Sequence, residues 1–184
     1  MLKKNSMIRY LAITFLCLGL VMDSIAQQVK KGADPDSIKA NMQKLKKLEG
    51  QWEGEAVYYR GPQRTSLIQS EQVSFKANGA AMLVEGMGKT AEGTTVFQAV
   101  ALIVFDPGTQ KFNIRAVKGE GQFIDTELFV EGDTIWWYLP MPNGGKARNT
   151  IILKGDSTWE ETGEFSQDGE TWHKFLEMKL RRKE

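Results

Sequence analysis

The chain has 184 residues, with 24 Lys and Arg against 23 Asp and Glu, one His and one Cys. A formal charge of +1 leaves no basic stripe for a nucleic-acid backbone to follow, so nucleic-acid binders are set aside. One Cys and one His exclude zinc centres of ordinary composition and disulfide scaffolds, and any Ser–His–Asp centre that does not use His173.

The first residues have the layout of a secretory signal. Lys3, Lys4 and Arg9 form a basic start, Tyr10 to Met22 an apolar run broken by Thr14 and Gly19, and Ser24-Ile25-Ala26 places small residues before Gln27. The run falls short of the ~20 residues that span a bilayer, which predicts a cleaved leader over residues 1–26 and no transmembrane anchor thereafter. Cys17 leaves with that leader, so the mature chain, Gln27 to Glu184, has no thiol for a lipid, a disulfide or catalysis. Its 158 residues suit one domain, and its 21 basic and 22 acidic side chains nearly cancel. The predicted destination is the periplasm or the outside of the cell.

Residues 27–33 are short, polar and basic, which predicts a flexible mature N-terminus. The domain is expected over 34–184, opening with one helix. Asp34 is placed to cap it with Pro35 in its first position. Ile38, Met42, Leu45 and Leu48 recur on one face, Lys39, Lys44, Lys46 and Lys47 take the solvent, and Gly50 ends the helix. Beyond Gly50 turn signals recur every 8 to 15 residues, among them Gly61-Pro62, Asn78-Gly79, Asp106-Pro107-Gly108, Asn143-Gly144-Gly145 and Asp168-Gly169. The segments between are rich in Val, Ile, Phe, Trp, Tyr and Thr, and predict ten strands near 51–60, 65–77, 80–90, 94–106, 111–118, 122–131, 134–140, 146–154, 157–166 and 170–182. Short connections predict an antiparallel up-and-down order, and closure into a single all-β barrel removes the exposed edges.

The junction of helix and first strand reads Leu48-Glu49-Gly50-Gln51-Trp52-Glu53-Gly54-Glu55. A Gly-x-Trp there resembles the signature of lipocalins, and the extended Gly-x-Trp-x-Gly resembles the nitrobindins and fatty-acid-binding proteins of the same calycin group. Gly50 allows a sharp turn from helix to strand, and Trp52 is expected to point inward and plug the closed end. The resemblance implies an Arg from the last strand lying across that Trp. Of Arg181 and Arg182, parity with Leu176, Met178 and Leu180 favours Arg182. The run Ser166-Gln167-Asp168-Gly169-Glu170-Thr171-Trp172, followed by a strand ending Leu180-Arg181-Arg182, resembles an uncharacterised family of secreted bacterial lipocalin-like domains. Together these likenesses cover about residues 45 to 182.

The nitrobindin likeness also implies haem, held by a His near the C-terminus. With Trp172, Leu176, Met178 and Leu180 inward, His173 is expected on the outer face beside Glu177 and Lys179, as a surface His and not a ligand. Phe175 breaks that alternation, and a bulge there would reverse it. Glu160, Glu161 and Glu164 could supply a general acid and base, but such a run is expected to be a solvated sheet face. No glycine spacing matches a phosphate-binding loop, because the glycines fall between strands. No catalytic residue or metal site is predicted.

Aromatic residues are abundant enough to line a cavity, and ten strands enclose more space than eight. Only one of Trp136 and Trp137 can face inward; Trp136 is expected inside because Tyr138 shares its side. Arg115 alternates with Phe112, Ile114 and Ala116 and is expected outside, whereas Arg148 is a candidate for an acidic head group. The predicted ligand contacts are Tyr58, Met82, Trp136, Tyr138 and Arg148. The expected function is binding of a small apolar or amphipathic molecule inside an exported barrel. Haem enzymology of nitrobindin type and a filled barrel that binds a partner are the other classes open at this point.

Overall fold

The computed structural model describes residues 34–141 and 144–184. The expected signal over 1–26, the tail over 27–33 and the turn residue Asn143 lie outside the described residues. Helix α1 (Pro35–Met42) is followed at once by a 3-10 segment (Gln43–Leu48). Asp34 caps the start, accepting the backbone N–H of Asp36 at 3.2 Å. Tightening into the 3-10 form keeps Met42, Leu45 and Leu48 on one buried face, each at most 1% exposed.

Ten strands follow: β1 (Gly50–Arg60), β2 (Gln63–Lys76), β3 (Ala81–Lys89), β4 (Thr95–Asp106), β5 (Lys111–Lys118), β6 (Phe123–Glu131), β7 (Thr134–Pro140), β8 (Lys146–Lys154), β9 (Thr158–Ser166) and β10 (His173–Arg182). Each pairs antiparallel with its neighbours in sequence, and β1 pairs with β10 from Trp52↔Arg182 to Tyr58↔Leu176, closing the barrel. No strand edge is left to template association. Among the described residues no helix is long and apolar enough to cross a membrane.

Strand direction sorts the loops into two ends. The α1 and 3-10 segment lies at the end where the β2–β3, β4–β5, β6–β7 and β8–β9 turns gather: Lys47 Nζ meets Asp133 Oδ1 at 2.7 Å, and Lys46 Nζ lies 5.7 Å from the centre of the Phe75 ring. Beneath the helix, Trp52, Val73, Met82, Ile103, Leu128, Ile135, Leu153, Trp159 and Leu180 are 0–4% exposed and fill the barrel solidly. The opposite end carries the β1–β2, β3–β4, β5–β6, β7–β8 and β9–β10 connections and has no such plug among the described residues. Two register shifts lie near that rim, one in β10 between Lys174 and Leu176 and one at Gly88/Lys89 of β3.

Candidate functional site

Partners directly across a ladder share a face, so the buried Trp52 identifies the interior row by row. Trp52 pairs with Glu71, Glu71 with Gly86, and Gly86 with Ala99; Ala56 pairs with Met178, Met178 with Glu161, and Glu161 with Ile151. Tyr58 pairs with Leu176, Leu176 with Gly163, Gly163 with Asn149, and Asn149 with Trp137. The interior therefore has an apolar plug at the helix end, a set of polar groups above it, and aromatic walls toward the rim.

The closed end is held by the Gly-x-Trp-x-Gly segment and Arg182. Gly50 adopts φ +133, a backbone that favours glycine, and a Cβ there would run into the Arg182 guanidinium. At Gly54 the absent Cβ admits the backbone carbonyl of Lys179 on β10. Arg182 lies over the Trp52 ring, Cζ to centroid 4.1 Å, and donates to the carbonyls of Lys47 (2.7 Å), Asp156 (2.6 Å) and Glu49. Trp52 Nε1 donates to the Leu48 carbonyl at 2.8 Å, and its ring meets that of Trp159 edge-on at 5.7 Å. Helix, first strand and last strand are thus tied at one point.

Above the plug lie two carboxyl groups with no cation beside them. Glu71 and Glu161 are each 9% exposed, and Gln69 is 1% exposed. Gln69 Nε2 donates to Glu71 Oε1 at 2.7 Å, and Trp159 Nε1 donates to Glu161 Oε2 at 3.2 Å. The Glu71 carboxylate occupies the space over Gly86, where a Cβ would stand 2.8 Å from both oxygens. Burial pushes Glu71 up to about 7 against the partial relief of the Gln69 bond. Burial, and then the proximity of Glu71, pushes Glu161 up to about 8. Tyr58 is raised to about 12 by burial first and by the charges of Glu161 and Glu71 next.

Toward the rim, Tyr58, Phe97 and Trp137 point inward yet are only half-buried. Tyr58 and Phe97 lie 6.4 Å apart, ring to ring. These inward aromatics keep partial contact with solvent, in contrast to the sealed floor.

Several sequence-based expectations change. Trp136 and Tyr138 face outward: Trp136 stacks on Phe129 at 5.3 Å, Tyr138 is 37% exposed, and Trp137 packs against the core instead. The parity of Ile135, Trp137 and Leu139 against Val130, Leu128 and Ala147 decides the matter, and pairing Trp136 with Tyr138 as aromatic companions overlooked it. Arg148 is also outside, since Ala147, Asn149, Ile151 and Leu153 are the buried residues of β8. It binds Glu164 at 2.7 Å and lies 4.5 Å from the centre of the Trp172 ring. Met82 is inside but fully buried in the plug, and Tyr58 points inward and is half-buried. Arg115 faces outward as expected, paired with Asp125 at 3.0 Å.

Glu160 and Glu164 are on the solvated face, where Glu160 pairs with Lys154 and Lys179. Glu161 is not, because its parity is that of Trp159. Glu71, Gln69 and Asn149 escaped notice in the sequence; alternation of Leu67, Gln69, Glu71 and Val73 on β2 is the signal that marks them as inward.

His173 changes face. The register shift at Phe175 brings His173 opposite Phe165, on the inner side of the rim, and not beside Glu177 on the outside. The imidazole lies 5.3 Å from the Phe165 ring, exposed, in a rim depression of about 500 Å³ shared with Tyr59, Gln167 and Trp172. Below it Phe175 turns in over Gly163. These residues do not fit haem: the imidazole is exposed at the lip, and its ring contact is Phe165. Among the described residues no cluster of His, Asp and Glu could hold a metal ion. A larger groove of about 810 Å³ across β1–β5 is bordered by outward side chains such as Gln51, Glu53, Glu85 and Val100 and lies outside the barrel.

No protein-family model matches the chain, and no curated protein matches it in sequence. Among solved structures it is similar to Rv2717c from M. tuberculosis, with a TM-score of 0.59 and 14% identity over 78% of this chain and 97% of that one. EF1p2_mFAP2b, solved bound to DFHBI, overlaps more loosely, with a TM-score of 0.41, 10% identity, and 77% and 98% of the two chains covered. A protein of unknown function of the DUF3598 family from Nostoc punctiforme PCC 73102 gives a TM-score of 0.25 and 7% identity over 77% and 98%. The likeness to Rv2717c is one of fold: this chain is a closed, ten-stranded antiparallel barrel with a helix across one end.

Proposed function

We propose that the protein is an exported, lipocalin-like binding barrel that takes up a small amphipathic molecule through its open end. The observation that carries this reading is the contrast within one interior. The helix end is packed to 0–4% exposure, whereas Tyr58, Phe97 and Trp137 face the axis and remain half-buried. An apolar ligand entering that chamber gains about 25 cal/mol per Å² removed from water, less the cost of association. Its polar end would meet Gln69, Glu71, Glu161 and Tyr58 at the floor, groups that an apolar filling would leave unsolvated.

The Gly50-x-Trp52-x-Gly54 segment with Arg182 across Trp52 supports the lipocalin-like assignment. The basic start, apolar run and Ser24-Ile25-Ala26 support export, with Gln27 as the first mature residue. Native mass spectrometry of the protein purified from its own host tests both. The expected spectrum has a chain mass beginning at Gln27 and an added non-covalent mass, or uptake of one from lipid or metabolite extracts. A clean unliganded mass with no uptake would end the binding reading.

A further inference from the structure

The interior carries an excess of hydrogen-bond acceptors. Glu71 and Glu161 bring four carboxyl oxygens, and the protein supplies them with the Gln69 and Trp159 donors. Gln69 Oε1 is buried and has no hydrogen-bond partner among the described residues, although the side chain is 1% exposed. An orphaned buried acceptor is destabilising, and Gln69 holds it beside Glu71, on the same inward row of β2. Among the described residues neither carboxyl is in an ion pair, and the side-chain hydrogen bonds they accept come from Gln69 and Trp159. Space for the Glu71 carboxylate is built in, because Gly86 across the ladder has no side chain to occupy it.

Resting on the interior-binding reading, we propose that Glu71, Glu161 and the free carbonyl of Gln69 form a subsite for the ammonium or amidinium group of an amphipathic organic cation. The apolar part of the ligand lies against Tyr58, Phe97 and Trp137, and the charged end points at the plug. The ammonium supplies the donors that the floor lacks, and charge-assisted bonds to buried carboxylates are the strong ones. A carboxylate ligand, by contrast, would bring more acceptors to a floor already short of donors.

Binding has a proton balance that can be read. Near neutral pH the acid pair holds a proton, whose O–H is the one donor the pair supplies; the ammonium brings several donors in its place, and the displaced proton leaves to solvent. The test is isothermal titration calorimetry of the whole protein with n-hexylammonium, 1-hexanol and hexanoate, run in phosphate and in Tris so that proton release shows as a difference in heat. Hexylammonium is expected to bind about tenfold more tightly than hexanol at pH 8, with hexanoate weakest, and to release close to one proton at pH 7 and fewer at pH 9.5. Glu161→Gln and Glu71→Gln are expected to remove the preference, so that hexylammonium binds each variant no more tightly than hexanol does. Circular dichroism reports whether the variants fold, and proton release in the unsubstituted protein needs no variant.

Equal affinity for hexanol and hexylammonium, or binding of hexylammonium without proton release, would overturn the cation subsite while leaving interior binding in place. Binding of none of the three probes would overturn both.

Discussion

Replacing Glu161 with Gln exposes the cost of the buried acid pair. In the folded chain Glu161 is lifted from 4.5 to about 8, by burial first and by Glu71 second. A carboxyl whose folded value is raised holds its proton more tightly in the native state than in the unfolded one. Its contribution is fully present below the unfolded value and is lost as pH rises through the folded one, so stability falls between about pH 5 and pH 8.5. At about 1.4 kcal/mol for each pH decade, Glu161 alone accounts for a loss on the order of 4 kcal/mol. For a domain of this size that is about 8–15 °C in melting temperature. Gln keeps the shape and the acceptor for Trp159 Nε1 but has nothing to titrate. Urea unfolding at pH 5.5, 7 and 8.5 should therefore show the natural protein weakening steadily and Glu161→Gln weakening roughly half as much, because Glu71, itself raised to about 7, still titrates. A natural protein equally stable at pH 5.5 and 8.5, or a variant with an unchanged slope, would refute the buried placement of this carboxyl.

Arg182→Ala removes a guanidinium that covers Trp52 and bonds three carbonyls. Its cost should be about 2 kcal/mol in urea unfolding, with a shifted tryptophan emission as the indole loses its cover. Gly86→Ala places a methyl 2.8 Å from both oxygens of Glu71 and should cost about 1–2 kcal/mol. Combined with Glu71→Ala that penalty should largely vanish, and an additive double mutant would show that the two positions do not touch. Trp137→Ala should abolish quenching of tryptophan emission by an apolar probe in the chamber, whereas Trp136→Ala, on the outer face, should leave quenching intact.

The barrel was legible because its strands alternate and its turns are short. Ile151 and Leu153 on β8, and Leu176, Met178 and Leu180 on β10, repeat every second residue, and that period leaves little choice of architecture. The helix was equally plain from Asp34, Pro35 and the spacing of Met42, Leu45 and Leu48. The site was harder to read, because it is made of exceptions to that pattern. A Glu on an inward position is indistinguishable in composition from one on a solvated face. Glu161 lies between two outward acids, and only its parity with Trp159 separates it from them. Phe175 shows the other limit: one extra residue reversed the face of His173, and whether a strand absorbs such a residue depends on the register of its neighbour. Arg182 and Trp52 are 130 residues apart, and their contact follows from β1 pairing with β10 at closure.

Carbon-13 NMR of the protein labelled at the glutamate carboxyl carbons, titrated from pH 4 to pH 10, tests the acid floor of the chamber most directly. Two resonances, assigned by Glu71→Gln and Glu161→Gln, should titrate near 7 and near 8, well above the surface glutamates. If every glutamate titrates together below pH 5, both carboxyls stand in water and the interior site described for this barrel does not exist.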